Sequence, residues 1–172
     1  MESRLIVGQR VSQSPNDKQE LVPSVAVIGQ PVAAVLVDSG FYSAAAVQAV
    51  ERKGDGQPSG TTVYAALERK DHHRTVSDLE QKPQPEAPGP EASIDEVMGY
   101  RLRSAAGRAK YKLRQQTVEP VFGIIKSVLG FRQFRLRGLV KVALEWQLVC
   151  LAYNLKRLHR MGAGLRMAAA AG

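Results

Sequence analysis

An α/β fold with a helical C-terminal half is the class this sequence predicts, and three observations predict it. Short Val/Ile-rich runs alternate with helix-like segments over residues 1–74, the rhythm of strands and helices that share a sheet. The proline-rich stretch "TVSDLEQKPQPEAPGPEAS" (75–93) breaks that rhythm with few large apolar side chains. Beyond it, apolar residues recur at helical spacing.

Each element has a local reason. "SRLIVGQRVSQ" (3–13) alternates and is rich in Ile and Val, the pattern of a strand. "SPNDKQELVPSVAVI" comes next, with Ser14 or Asn16 placed to cap a helix that Pro23 interrupts. "AAVLVD" (33–38) is a short apolar run, expected of a buried parallel strand, and Gly40 in "DSGFYS" marks a sharp turn after it. "SAAAVQAVERKG" (43–54) reads as a helix stopped by Gly54, and "TTVYAAL" (61–67) as a further strand. One helix is expected over 97–116, running on towards Leu129 with a kink or fresh start at Pro120. Another is expected over 138–160; it is apolar on nearly every side and so predicted to be buried. The domain reading is therefore a partial α/β region over 1–74 and a flexible insertion over 75–96. A helical part covers 97–161, and a low-complexity tail covers 162–172.

Composition narrows the function classes. A 172-residue chain with 44% hydrophobic residues can bury a core. The single cysteine, Cys150, excludes an internal disulfide framework and fits a reducing cytosol. No charged-then-apolar leader opens the sequence, so secretion is not expected. The most apolar run, 139–155, contains Lys141, Glu145, Gln147 and Asn154, too polar for a bilayer span. The net charge of +8 is unevenly spread. Residues 98–172 carry 15 Lys/Arg and two acids, a net of +13, while residues 1–97 carry 9 against 14, a net of −5. A basic half of that density is the electrostatic footprint of a protein that meets a polyanion, nucleic acid above all; a merely solvated basic surface fits the charge equally.

Few residues are candidates for chemistry. Asp38 closes an apolar strand at its carboxyl end, where α/β folds place ligand-binding groups, although a turn-capping aspartate has the same position. Glu119 stands alone among cations on a helix, either as an ion-pair partner of Arg114 or as a metal ligand. Two such carboxylates supply the hard oxygen donors that Mg²⁺ prefers, and pairs of these ions serve phosphoryl transfer. Tyr111, Arg114, Glu119 and Lys126 share one stretch of helix, with Lys126 two turns beyond Glu119 on the same side. "FRQFRLRG" (131–138) interleaves Phe131 and Phe134 with Arg132, Arg135 and Arg137. That suits a loop whose arginines grip phosphates while its rings pack on the domain or on bases. His72, His73 and Cys150 lack metal-ligand spacing, and the chain has no P-loop, GxGxxG or GxSxG.

"TVEPVFGIIKSVLGFRQFRLRGLVKVALEWQLVCLAYNLKRL" (117–158) closely resembles the C-terminal segment of bacterial insertion-sequence transposases of the DDE type. "VLVDSGFYS" is similar to that family's second-aspartate motif, and "RLIVGQRVSQSPNDKQEL" to the strand and turn preceding it. The resemblance implies a partial RNase H-like fold in which three acids bind Mg²⁺ or Mn²⁺ and drive DNA strand cleavage and transfer. It makes Asp38 the second acid and Glu119 the third. Tyr111, Arg114 and Lys126 resemble the accessory positions around the glutamate; together with Arg132, Arg135 and Arg137 they are the residues expected to contact DNA. Two departures are visible: Phe41-Tyr42 reverses the usual aromatic order, and the spacing from Arg114 to Glu119 is one residue longer. The family's first aspartate has no counterpart here, so the expectation is a truncated transposase, catalytically incomplete alone. A DNA-binding remnant that inhibits an intact enzyme, or a non-functional gene product, are the alternatives. The implied partners are transposon-end DNA and an oligomer or intact transposase, in the bacterial cytoplasm on the nucleoid, with no membrane.

Overall fold

A computed structural model describes residues 3–67 and 86–170. Among them are five α-helices and one two-stranded parallel sheet: a mixed α/β chain. The chain divides into two compact units, Ser14–Arg114 and Met1–Gln13 together with Gln115–Gly172.

In the unit 14–114, Asn16 caps a 3₁₀ turn over Asp17–Gln19, its side chain accepting from the Lys18 amide. Helix α1 (Leu21–Ala26) comes directly after it. Pro23 is tolerated there because first-turn amides have no intrahelical partner to lose. Strand β1 (Ala34–Val37) leads through helix α2 (Ala44–Glu51) to β2 (Thr62–Ala65). The strands pair in parallel, with Ala34 opposite Thr62 and Val37 opposite Ala65. Ser43 caps α2 by accepting from the Ala46 amide. The helix ends at Glu51, earlier than the expected stop at Gly54, because Arg52 turns extended and bridges to Pro58. Helix α3 (Ile94–Arg103) opens with a capping box in which Ser93 and Glu96 satisfy each other's backbone amides. Leu21, Val47, Val50, Val63, Ala65 and Met98 form the core between these elements. Glu51 ties three of them together. It accepts from the Val63 amide at 2.7 Å and pairs with Arg101, which also donates to the Val63 carbonyl.

Of the kink or fresh start expected at Pro120, the fresh start is not made. Helix α4 runs unbroken from Ala105 to Ser127 with Pro120 inside it. The chain turns instead at Ser104, whose extended backbone separates α3 from α4. The Ser104 hydroxyl donates to the Arg101 carbonyl at 2.8 Å and accepts from the Gly107 amide at 3.0 Å. Only glycine fits at 107, since a Cβ there would lie 1.7 Å from the Arg101 carbonyl oxygen.

In the other unit, helix α5 covers Leu139–Ala170 and so carries on through the alanine-rich stretch expected as a tail. Cys150 and Tyr153 are buried on it, with Ile125 of α4. The expectation that α5 is buried all round is wrong. Val140, Leu144, Leu148, Leu151, Leu155 and Leu158 are 50–74% exposed. The strand expected over 3–13 is also absent: the described residues 3–13 adopt no strand. Side chains of α5 take the place of a neighbouring strand. Asn154 accepts from the Ile6 amide at 2.9 Å and donates to the Ile6 carbonyl at 2.8 Å. Tyr153 donates to the Arg4 carbonyl and Arg157 to that of Ser3. The stretch 75–85 and His72 and His73 lie outside the described residues.

Candidate functional site

Asp38 stands at the carboxyl end of β1 and caps the 3₁₀ turn Ser39–Phe41. Its Oδ1 accepts from the Ser39 hydroxyl at 3.1 Å and the Gly40 amide at 3.4 Å. Position allowed a turn cap or a ligand, and the cap is in place. The outward oxygen, Oδ2, lies 3.6 Å from Arg114 Nη1, and the side chain is 60% exposed. The Ser39 hydroxyl, then the Gly40 amide and the Arg114 guanidinium, outweigh slight burial and hold the carboxyl below its usual 3.8. Asp38 is therefore an ionised oxygen donor at neutral pH.

Two of the expected accessory residues meet this aspartate. Tyr111 donates from its hydroxyl to the Val37 carbonyl at 3.1 Å, fastening α4 to the last residue of β1. One turn on, the Arg114 guanidinium packs over the Tyr111 ring at 5.6 Å and reaches Asp38. Asp38, Tyr111 and Arg114 are thus brought together within the unit 14–114. The neighbouring Tyr42 donates to the Asp95 carboxylate at the start of α3. Burial first, and then the Asp95 charge, push its phenol well above the ordinary 10.

Glu119, Lys126, Arg132, Arg135 and Arg137 belong to the other unit. Glu119 and Lys126 are exposed on α4. The three arginines are exposed on the loop between Ser127 and Leu139, which Gly130 and Gly138 enter and leave at φ 71° and 84°. The rings of this loop contact one another and Trp146, with Phe134 still exposed. Phe131 and Phe134 meet edge to face at 5.3 Å, and both lie against Trp146, which Phe122 of α4 stacks upon at 6.1 Å. Of the two uses open to the phenylalanines, packing on the domain is the one seen.

Glu145 is a structural residue that sequence reasoning passed over. Its carboxylate accepts from the Arg135 amide at 3.0 Å and the Leu136 amide at 3.0 Å, so the loop's backbone is clamped onto α5. Its signal was a lone acid at the start of an otherwise basic helix. Beside it lies an open cleft of about 730 Å³ with Leu129, Phe131 and Leu148 in its walls and Arg132 and Arg135 at its edge.

Among the described residues no three His, Cys, Asp or Glu side chains converge in a way that would hold a metal ion. One exposed, ionised carboxylate suits a hydrated Mg²⁺ that takes its other ligands from water and phosphate. Within the unit 14–114, Asp38 already shares its outer oxygen with Arg114.

These features define a mixed α/β chain with an ionised aspartate at a strand end and a cation-rich helical region. Residues 87–159 are similar to the family model described as the transposase DDE domain. The match takes in Tyr111, Arg114, Glu119, Lys126 and the loop arginines. No curated protein and no solved structure matches the chain. Among the described residues no helix is long and apolar enough to cross a membrane.

Proposed function

We propose that this chain is a DNA-engaging segment of a DDE transposase with a partial RNase H-like catalytic domain, in which Asp38 and Glu119 are the second and third acids. The family match across 87–159 carries the reading. The position of Asp38, ionised at the end of β1 and braced by Arg114, supports it. In such an enzyme a divalent ion would activate the attacking oxygen and stabilise the leaving one. Asp38 and Glu119 would hold that ion. Arg114 restrains Asp38, and Tyr111 fixes Arg114 by anchoring its helix to β1. Arg132, Arg135 and Arg137 point outward from a loop that Trp146 and Glu145 hold rigid, and they contact phosphates.

We propose that the chain alone binds DNA without cutting it. Occupying DNA in this way, it would compete with a complete transposase. Fluorescence anisotropy with a labelled mixed-sequence duplex tests the binding. Affinity should fall steeply with salt, and Arg132→Glu, Arg135→Glu and Arg137→Glu together should lower the slope by roughly 3 as three phosphate contacts are lost. Absence of binding at low salt would sink the reading. Nicking of the duplex in Mg²⁺ or Mn²⁺ that disappears in Asp38→Ala would overturn the prediction of inactivity.

A further inference from the structure

Within the unit 14–114, the acidic segment before α3 doubles back along that helix. The Gly89 carbonyl accepts from the Ala92 amide at 3.1 Å, and the Ser93–Glu96 capping box fixes the next residues to the start of α3. Pro88 and Pro90 stiffen the stretch by fixing its backbone. Glu86 and Glu91 thereby line a cavity of about 440 Å³ together with Tyr100 and Arg103, at the far end of α3. That end is basic: residues 97–118 hold six Lys/Arg and no acid. Arg103 and Arg108 are exposed there, and main chain holds both. Arg103 Nε donates to the Gly99 carbonyl at 3.0 Å, and Arg108 Nη1 to the Arg103 carbonyl at 2.6 Å. Two guanidiniums fixed at one corner keep further donors for an anionic oxygen.

We infer that this segment is a built-in competitor for DNA: Glu86 and Glu91 screen a phosphate-binding corner formed by Arg103 and Arg108. The inference rests on the reading of the chain as DNA-engaging. Asp95 and Glu96 have other duties, since Asp95 accepts from Tyr42 and Glu96 from Ser93. Glu86 and Glu91 take no part in those bonds and are exposed on the wall they share with Arg103. Carboxylates held near a guanidinium lower the positive potential that an arriving phosphate meets. Attachment to the same chain keeps them at high effective concentration. Their contacts are exposed and therefore weak, so a DNA backbone of far denser charge displaces them.

Anisotropy of a labelled mixed-sequence duplex with the full chain tests this. Glu86→Gln with Glu91→Gln should tighten binding roughly two- to fivefold at low salt, the scale of exposed ion pairs. The gain should shrink as salt rises. Both glutamates are exposed, so these changes leave folding alone. The same pair of changes made together with Arg103→Gln and Arg108→Gln should bring no gain, because the corner being screened is gone. An equal gain in both backgrounds is a general charge effect and overturns the inference, as does no gain in the parent. In either case, binding by the parent chain leaves the DNA-engaging reading standing. Absence of binding by every variant at low salt removes that reading and the inference with it.

Discussion

Residues 14–114 enclose Leu21, Val47, Val63, Ala65 and Met98 to 1% exposure or less, whereas the helical unit buries Ile125, Cys150 and Tyr153 and leaves a row of leucines outside. The two regions differ in how apolar residues are spaced as much as in number. In the first, short strands and short amphipathic helices each turn one apolar face inward. In the second, α5 is apolar on two opposite faces, and one helix surface cannot satisfy both within its own unit. Compactness of a chain is therefore a local property, decided by whether each apolar face has a neighbour.

The comparison can be tested by the same kind of truncation in each region. Met98→Ala should cost about 2–5 kcal/mol by chemical denaturation, because it opens a cavity in a closed core. Leu148→Ala, measured at dilute protein, should lie within about 0.5 kcal/mol of the parent. Equal costs would erase the distinction drawn between the units. Next in size is Gly107→Ala, expected to lose about 1–3 kcal/mol as the α3–α4 corner is forced open. Its Cβ meets backbone rather than a side chain that can swing away.

Glu145→Ala should cost about 1–2 kcal/mol and act locally, since hydrogen bonds to a charged acceptor are lost. Hydrogen exchange at the Arg135 and Leu136 amides should accelerate while that of β1 and β2 stays slow. Tyr42 gives a pH test. Its folded pKa is raised, so its contribution is complete below pH 10 and declines as alkali passes the raised value. Spectroscopic titration should show a late tyrosine ionisation that Tyr42→Phe removes. The smallest effect belongs to Asp38→Asn, below about 1 kcal/mol at neutral pH, because an exposed ion pair is weak. Asp38's folded pKa is lowered, so its small contribution holds above pH 3.8 and fades in stronger acid, a loss Asp38→Asn should not show.

Much of the first region was legible because its signals are local. "AAVLVD" and "TTVYAAL" are the two strands, with ends trimmed by a residue or two. Of the two candidate caps Ser14 and Asn16, Asn16 is the one used, at the first 3₁₀ turn. The family likeness of 117–158 was legible in its motifs and falls within the matched segment. The features that escaped were non-local. The alternation of residues 3–13 suggested a strand, but their hydrogen-bond partner is Asn154, 148 positions from Ile6. Pro120 suggested a kink or a fresh start, yet no new helix starts there: a helix with stacked Phe122 and buried Ile125 absorbs one missing amide. Ser104 makes the break instead, and the close approach at Gly107 that permits it appears only once the corner is built.

The clamp on residues 3–6 has a further consequence. Asn154, Tyr153 and Arg157 hold that segment by its main-chain groups at Ser3, Arg4 and Ile6. Those bonds recognise a peptide's amide pattern rather than its letters. Over evolutionary time these residues can drift in identity while their anchorage persists, whereas a change at Asn154 would free Ile6 and leave Arg4 and Ser3 to Tyr153 and Arg157.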